Sequence, residues 1–181
     1  MAKDKSSKGG IRLFLGKLFG GKDEPEGPIY DKEIIDQAIQ KADATFPELT
    51  DEQKVALSQA VKRFFETSGV TIGDVMDSLG PSIDEQRALE IANFMITTSH
   101  ADREEQQGKR LQDEFSDIPV VKTWFTCNDD RCCDNCRSNH AKTVLIDNPF
   151  PSGHMKPPGC DDCRCSLSTR TDILGEAVNW P

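Results

Sequence analysis

The sequence predicts an α+β protein: a mainly helical region over residues 30–116, then a small cysteine-stapled β lobe over residues 117–172. Three observations predict it. Apolar residues recur at helical spacing from Asp31 to Phe115. After Pro119 the pattern changes to short runs of β-branched and aromatic residues. All seven cysteines fall between Cys127 and Cys165. Outside this body, residues 1–29 read as a basic, flexible segment with a short amphipathic helix and a linker, and residues 173–181 as a tail.

The polar lead Met1 to Gly10 is followed by Ile11, Phe14, Leu15, Leu18 and Phe19 at i, i+3, i+4, i+7 and i+8, flanked by Arg12 and Lys17 and closed by Gly20-Gly21. Three roles fit this stripe: a disordered tail whose spacing is coincidental, a docking helix for a partner protein, or a membrane-surface anchor. It is too short to span a bilayer, and Gly16-Lys17 interrupts any secretory apolar core. Asp23 to Pro28 is a linker by composition.

In the helical region Ile34, Ile35, Ala38, Ile39 and Ala42 make one face, which ends near Pro47. Thr50 with Gln53 has the spacing of a capping box, and Val55, Leu57, Ala60, Val61, Phe64 and Phe65 fill the next stripe up to Gly69. A short helix covers Ile72 to Leu79, stopped by Gly80-Pro81. Ser82 with Glu85 reads as a second capping box, opening a helix with Ala88, Ile91, Ala92, Met95 and Ile96 inward. A polar helix, His100 to Phe115, follows or continues it. Residues 120–126, 143–146 and 165–169 read as strands, with loops at 147–153 and 157–159.

The net charge of −9 is uneven, since residues 1–22 carry six Lys/Arg against Asp4, leaving −14 on the remainder. So acidic a body repels a phosphate backbone. Contact with nucleic acid is therefore expected only through residues 1–22.

Cys133-x2-Cys136 and Cys160-x2-Cys163 carry the chemistry. Two such pairs separated by a loop place four thiolates at the corners of a tetrahedron, the arrangement of a closed structural zinc site. One structural Zn2+ is therefore expected, held by Cys133, Cys136, Cys160 and Cys163, with no open position for a substrate or water. Cys127 is a reserve ligand, and Cys165 is assigned to the core of the lobe. A two-zinc cluster needs more ligands than these residues comfortably provide. Crowded, odd-numbered cysteines read as reduced thiolates rather than a disulfide framework. A redox dithiol wants a strand-to-helix junction in a βαβ fold, which the helical region before the motif argues against. His100, His140 and His154 read as surface or capping residues, with His154 an alternative ligand. Asp129-Asp130 and Asp161-Asp162 read as solvating acids. No arrangement of Ser/His/Asp or Cys/His suggests an enzyme, and neither a small-molecule substrate nor membrane contact is expected.

Several elements follow one another in a telling order: Lys122-x-Trp124, Asp129-Asp130-Arg131-Cys132-Cys133-Asp134-Asn135-Cys136, Asp147-Asn148-Pro149-Phe150-Pro151, Pro157-Pro158 and Cys160-Asp161-Asp162-Cys163-Arg164-Cys165. This stretch resembles the C-terminal signature of phage minor head (head-morphogenesis) proteins related to phage Mu protein F. Upstream, Arg87 to Ala92 with Thr97-Thr98 is similar to that family's Ile-Ala-Arg-Thr-Glu helix in degenerate form. Cys160 stands where the family usually has His, which keeps a zinc ligand but exchanges nitrogen for sulfur. The chain is also shorter than usual members. The resemblance implies a structural minor virion component of a tailed bacteriophage, located in the phage head and in host cytoplasm during assembly. Its implied partners are the portal and the major capsid protein, and its implied roles are head morphogenesis and genome delivery. The rival expectation is a nucleic-acid-binding zinc ribbon, which the acids outnumbering Arg131, Arg137 and Arg164 around the cysteines disfavour.

Overall fold

The computed structural model describes residues 32–173 and Gly175, so the amphipathic stripe, the linker and most of the tail lie outside the described residues. The fold is α+β, with helices leading into a three-stranded antiparallel sheet. Helix α1, Lys32–Thr45, buries Ile34, Ile35, Ala38 and Ala42. Helix α2, Asp51–Glu66, starts at the expected capping box, in which Thr50 and Gln53 satisfy each other's backbone N–H. Val55 departs from the expected stripe and faces solvent. Phe64 and Phe65 pack on the core edge-to-face, their centroids 5.2 Å apart. Helix α3, Ile72–Asp77, carries a capping box of its own, Thr71 with Asp74.

Helix α4, Glu85–Glu114, is a single element of 30 residues, so the polar stretch from His100 continues it. Its start differs from the sequence expectation. Asp84, not Ser82, is the N-cap, taking the Arg87 N–H at 3.0 Å. A carboxylate at this position both caps the free N–H and meets the positive end of the helix dipole, an advantage a serine lacks. Ser82 is released to accept a hydrogen bond from Gln53 Nε2 at 3.1 Å, and the same amide also donates to the Leu79 carbonyl.

The two halves of α4 serve different cores. Ala88, Ile91, Ala92, Phe94 and Met95 join α1–α3, with Phe94 edge-on to Phe46 at 5.2 Å. Farther along, Ala101 packs with Trp124, Val144, Phe150 and Leu167 beside the cysteines. Strands β1, Val120–Phe125, β2, Thr143–Leu145, and β3, Ser166–Thr171, lie in the order β2-β1-β3. Thr123 pairs with Thr143 on one side and Ser168 on the other. No helix among the described residues is long and apolar enough to cross a membrane.

Helix α4 meets the sheet through polar groups as well as apolar ones. Buried Glu104 accepts the Thr169 N–H at 3.0 Å, satisfying a backbone donor on edge strand β3. Gly108 permits the close approach, because a Cβ there would stand 2.6 Å from Ile146 Cδ1 and 3.3 Å from Thr169 Cγ2. Asp102, only 3% exposed, accepts Lys41 Nζ from α1 at 2.8 Å and Lys156 Nζ from the loop before Cys160 at 2.6 Å. Lys156 also pairs with Glu105. One carboxylate thus ties the first helix to the cysteine lobe. Lys122 is 2% exposed, with its amine 5.5 Å from the centroid of the Phe150 ring.

Two stability effects follow. Gly108→Val should cost about 1–3 kcal/mol through overpacking against Ile146 and Thr169, read as a lowered unfolding midpoint. Burial pushes the Lys122 amine down to about 8, more than the attraction of Glu105 and Asp147 restores, while Lys156 and Lys109 push the same way as burial. The unfolded chain holds that proton up to 10.5 and the folded chain releases it near 8, so Lys122 makes stability rise with pH across this window. Lys122→Met should therefore be more stable than the wild type at pH 7, with the gap shrinking between pH 8 and 10.5. Parallel denaturation curves at every pH would contradict the assignment.

Candidate metal centre

The first Cys-x2-Cys pair is shaped by a helix start. Cys133 is the N-cap of helix α5, Asp134–Asn139, and its Sγ accepts the Cys136 N–H at 3.4 Å. An N-cap and the residue three positions on face each other across the first helical turn, so both sulfurs lie on one side. The second pair lies in the turns ahead of β3. Thr97 of α4 donates its hydroxyl to the Cys163 carbonyl at 2.7 Å, fixing that turn against the helix. Between the pairs Gly159 leaves room for sulfur, since a Cβ there would stand 3.0 Å from Cys136 Sγ.

The four cysteines expected from the sequence gather here, and a fifth joins them. Cys133, Cys136 and Cys160 have sulfurs within 4.8 Å of one another, as do Cys136, Cys163 and Cys165. Cys136 belongs to both groups, and its Sγ lies 3.5 Å from that of Cys163. A tetrahedral four-thiolate site with bonds near ~2.3 Å has sulfur–sulfur edges of roughly 3.8 Å, so these spacings suit a metal ion. Cys165 was expected only to pack in the core. It is buried, but its sulfur also faces the cluster. The signal available in the sequence was its place two residues after Cys163, which keeps the two side chains close when the chain bends between them. Cys127 and Cys132 line the same cleft but point elsewhere, Cys127 to the Arg164 carbonyl and Cys132 to that of Cys133.

Charged side chains brace the two pairs. Asp162 accepts Asn93 Nδ2 of α4 at 2.9 Å and Arg131 at 2.5 Å, while Asp129 accepts Arg164 at 2.7 Å. Two of the four acids expected merely to solvate the loops therefore pin one cysteine segment to the other. The histidines take local roles. His140 Nδ1 accepts the Thr126 N–H at 3.2 Å, and His154 Nδ1 meets the Ser152 hydroxyl at 2.9 Å, within a network that includes Asn139. His100 is partly buried on α4, and burial holds it toward the neutral form.

Crowding makes the thiols titrate unequally. Hydrogen bonds from Cys136 and Cys165 hold Cys163 down to about 3, so the first thiolate forms there. Donating to Cys163 pushes Cys136 far up, and burial with its contact to Cys133 pushes Cys160 up. Contact with Cys136 lowers Cys165, but Cys163 and burial outweigh it and leave it pushed up to about 12. Burial opposes ionisation of Cys133 too, yet the Cys136 N–H and the Cys160 thiol bring it below its ordinary value. The Trp124 indole N–H is buried and has no hydrogen-bond partner among the described residues.

No family model matches this chain, and neither a curated protein nor a solved structure is significantly similar to it. The site must be read from its own chemistry. Several soft sulfur donors, gathered within reach of one another, can hold a thiophilic cation.

Binding should release protons. Cys136 and Cys160 keep theirs at neutral pH, and a cation must displace them, so affinity should rise with pH. Indicator dye in weak buffer at pH 7 should register roughly two to three protons per cation bound. Proton-neutral, pH-independent binding would mean that these thiols are not ligands.

Proposed function

We propose that this chain is a structural minor head protein of a tailed bacteriophage, stapled by one zinc ion and docked at the portal region, acting in head morphogenesis and genome delivery. The observation that supports the reading is the convergence of two Cys-x2-Cys pairs beside α4, within a segment whose motif order resembles the minor head signature. Zinc held by the thiolates of Cys133, Cys136, Cys160 and Cys163 leaves no place for a substrate, which favours a structural over a catalytic role. Binding of structural zinc contributes about 10–16 kcal/mol at neutral pH, against about 5–15 kcal/mol for the net stability of a whole domain. A lobe of three short strands would depend on it.

The arginines near the cysteines support this reading over a nucleic-acid-binding ribbon. Arg131 and Arg164 are held by Asp162 and Asp129, so neither is free to neutralise phosphate. Packaged DNA would be met through the basic residues 1–22, and the portal or major capsid protein through the apolar stripe within them.

Protein purified without added zinc should contain close to one equivalent, and Cys133→Ser with Cys136→Ser should abolish it. Chelation should remove the near-ultraviolet signal of Trp124 while most helical dichroism persists. For the biological role, the full chain should copurify with heads of the phage that encodes it. A version lacking residues 2–22 should keep its zinc and be lost from heads. Zinc-loaded chain absent from purified heads and from portal complexes would defeat the head-protein reading.

A further inference from the structure

Five sulfurs crowd a centre that needs four. Cys133, Cys136 and Cys160 form one close group, Cys136, Cys163 and Cys165 the other, and Cys136 is common to both. The first group supplies three sulfurs, and a fourth must come from those nearest Cys136. Two sulfurs stand there: Cys163 at 3.5 Å from Cys136, and Cys165 within 4.8 Å of both. Both residues are buried, and one residue separates them in the chain.

Resting on the zinc reading above, we propose that the cation is held by four thiolates drawn from five, with Cys163 and Cys165 interchangeable in the fourth place. The anchoring of each residue allows it. Cys163 is tied to α4 by its backbone carbonyl on Thr97, not by its sulfur, so the thiol can turn without breaking that bond. Cys165 is buried in the same core, with its sulfur within 4.8 Å of those of Cys136 and Cys163. Exchange is balanced: the incoming thiol gives up its proton as its sulfur binds, and the departing thiolate takes one up. The metal keeps four thiolates throughout, and no oxidant is needed. Cys127 and Cys132 stay outside this exchange because neither sulfur belongs to the two close groups.

The test uses the full chain, with cobalt(II) as probe and zinc content as second measurement. Wild type, Cys163→Ala and Cys165→Ala should each bind one equivalent, with the same four-thiolate charge-transfer intensity per cobalt. Cys163→Ala combined with Cys165→Ala should weaken binding at least ~100-fold in competition with a chelator, beyond the loss that outer-shell changes cause. Serine variants at both positions are measured alongside, so that a cavity effect of alanine is separated from loss of a ligand. If one position alone loses cobalt in both its alanine and serine forms, that residue is a fixed ligand and the exchange is refuted. Retention of full affinity by the double variant refutes it as well. Wild type binding no cobalt or zinc would instead defeat the metal reading itself.

Discussion

Everything in the second half of this protein depends on bringing buried thiols together against one wall of α4. Apart from the cysteines, the lobe buries Ala101, Trp124, Val144, Phe150 and Leu167 beside the thiols, and Val120, Val121 and Ile146 away from them. So few side chains cannot offset the ordering of some fifty residues, much of it loop. Cysteines fill the rest of that core, and packed sulfur is apolar only while it stays protonated. A cation bound among them would change the balance, turning mutually repelling thiolates into ligands and tying the segments that carry them to one point.

Helix α4 makes this possible because it is long enough to belong to both cores. Its first three turns or so, Glu85 to Met95, carry an apolar stripe. Beyond Met95 the same helix presents four residues with separate roles. Thr97 anchors a carbonyl, Asp102 gathers two lysines, Glu104 caps an edge strand, and Gly108 admits the sheet closely. Polar residues are used here because what α4 meets is turn and strand edge, whose backbone groups need partners once buried. The Asp102 link to Lys41 and Lys156 adds a tie between α1 and the lobe that holds only while all three elements keep their positions.

Local features were legible. The Thr50–Gln53 capping box, the helix over Ile72, the strand around Trp124 and the paired Cys-x2-Cys spacing are short-range signals, and the chain obeys each nearly as written. Misreadings arose where two local signals competed or where a distant partner decided. Ser82 has the capping spacing but lost to Asp84, and Val55 fits a helical stripe yet no element reaches it. Nothing local marks Glu104 and Asp102 for burial, because their partners, Thr169 and Lys41, lie more than sixty residues away.

What the sequence determined by itself was the α+β class, the helix starts set by side chains three residues apart, and the presence of a thiol-rich centre in residues 127–165. Those properties follow from periodicity and from spacings within one turn of chain. Only the tertiary structure decided that α4 is shared by both cores, that acids beside the cysteines are braces, and that Cys165 stands with Cys163 at the cluster. Each depends on which surfaces meet across long stretches of chain, and no local spacing carries that information.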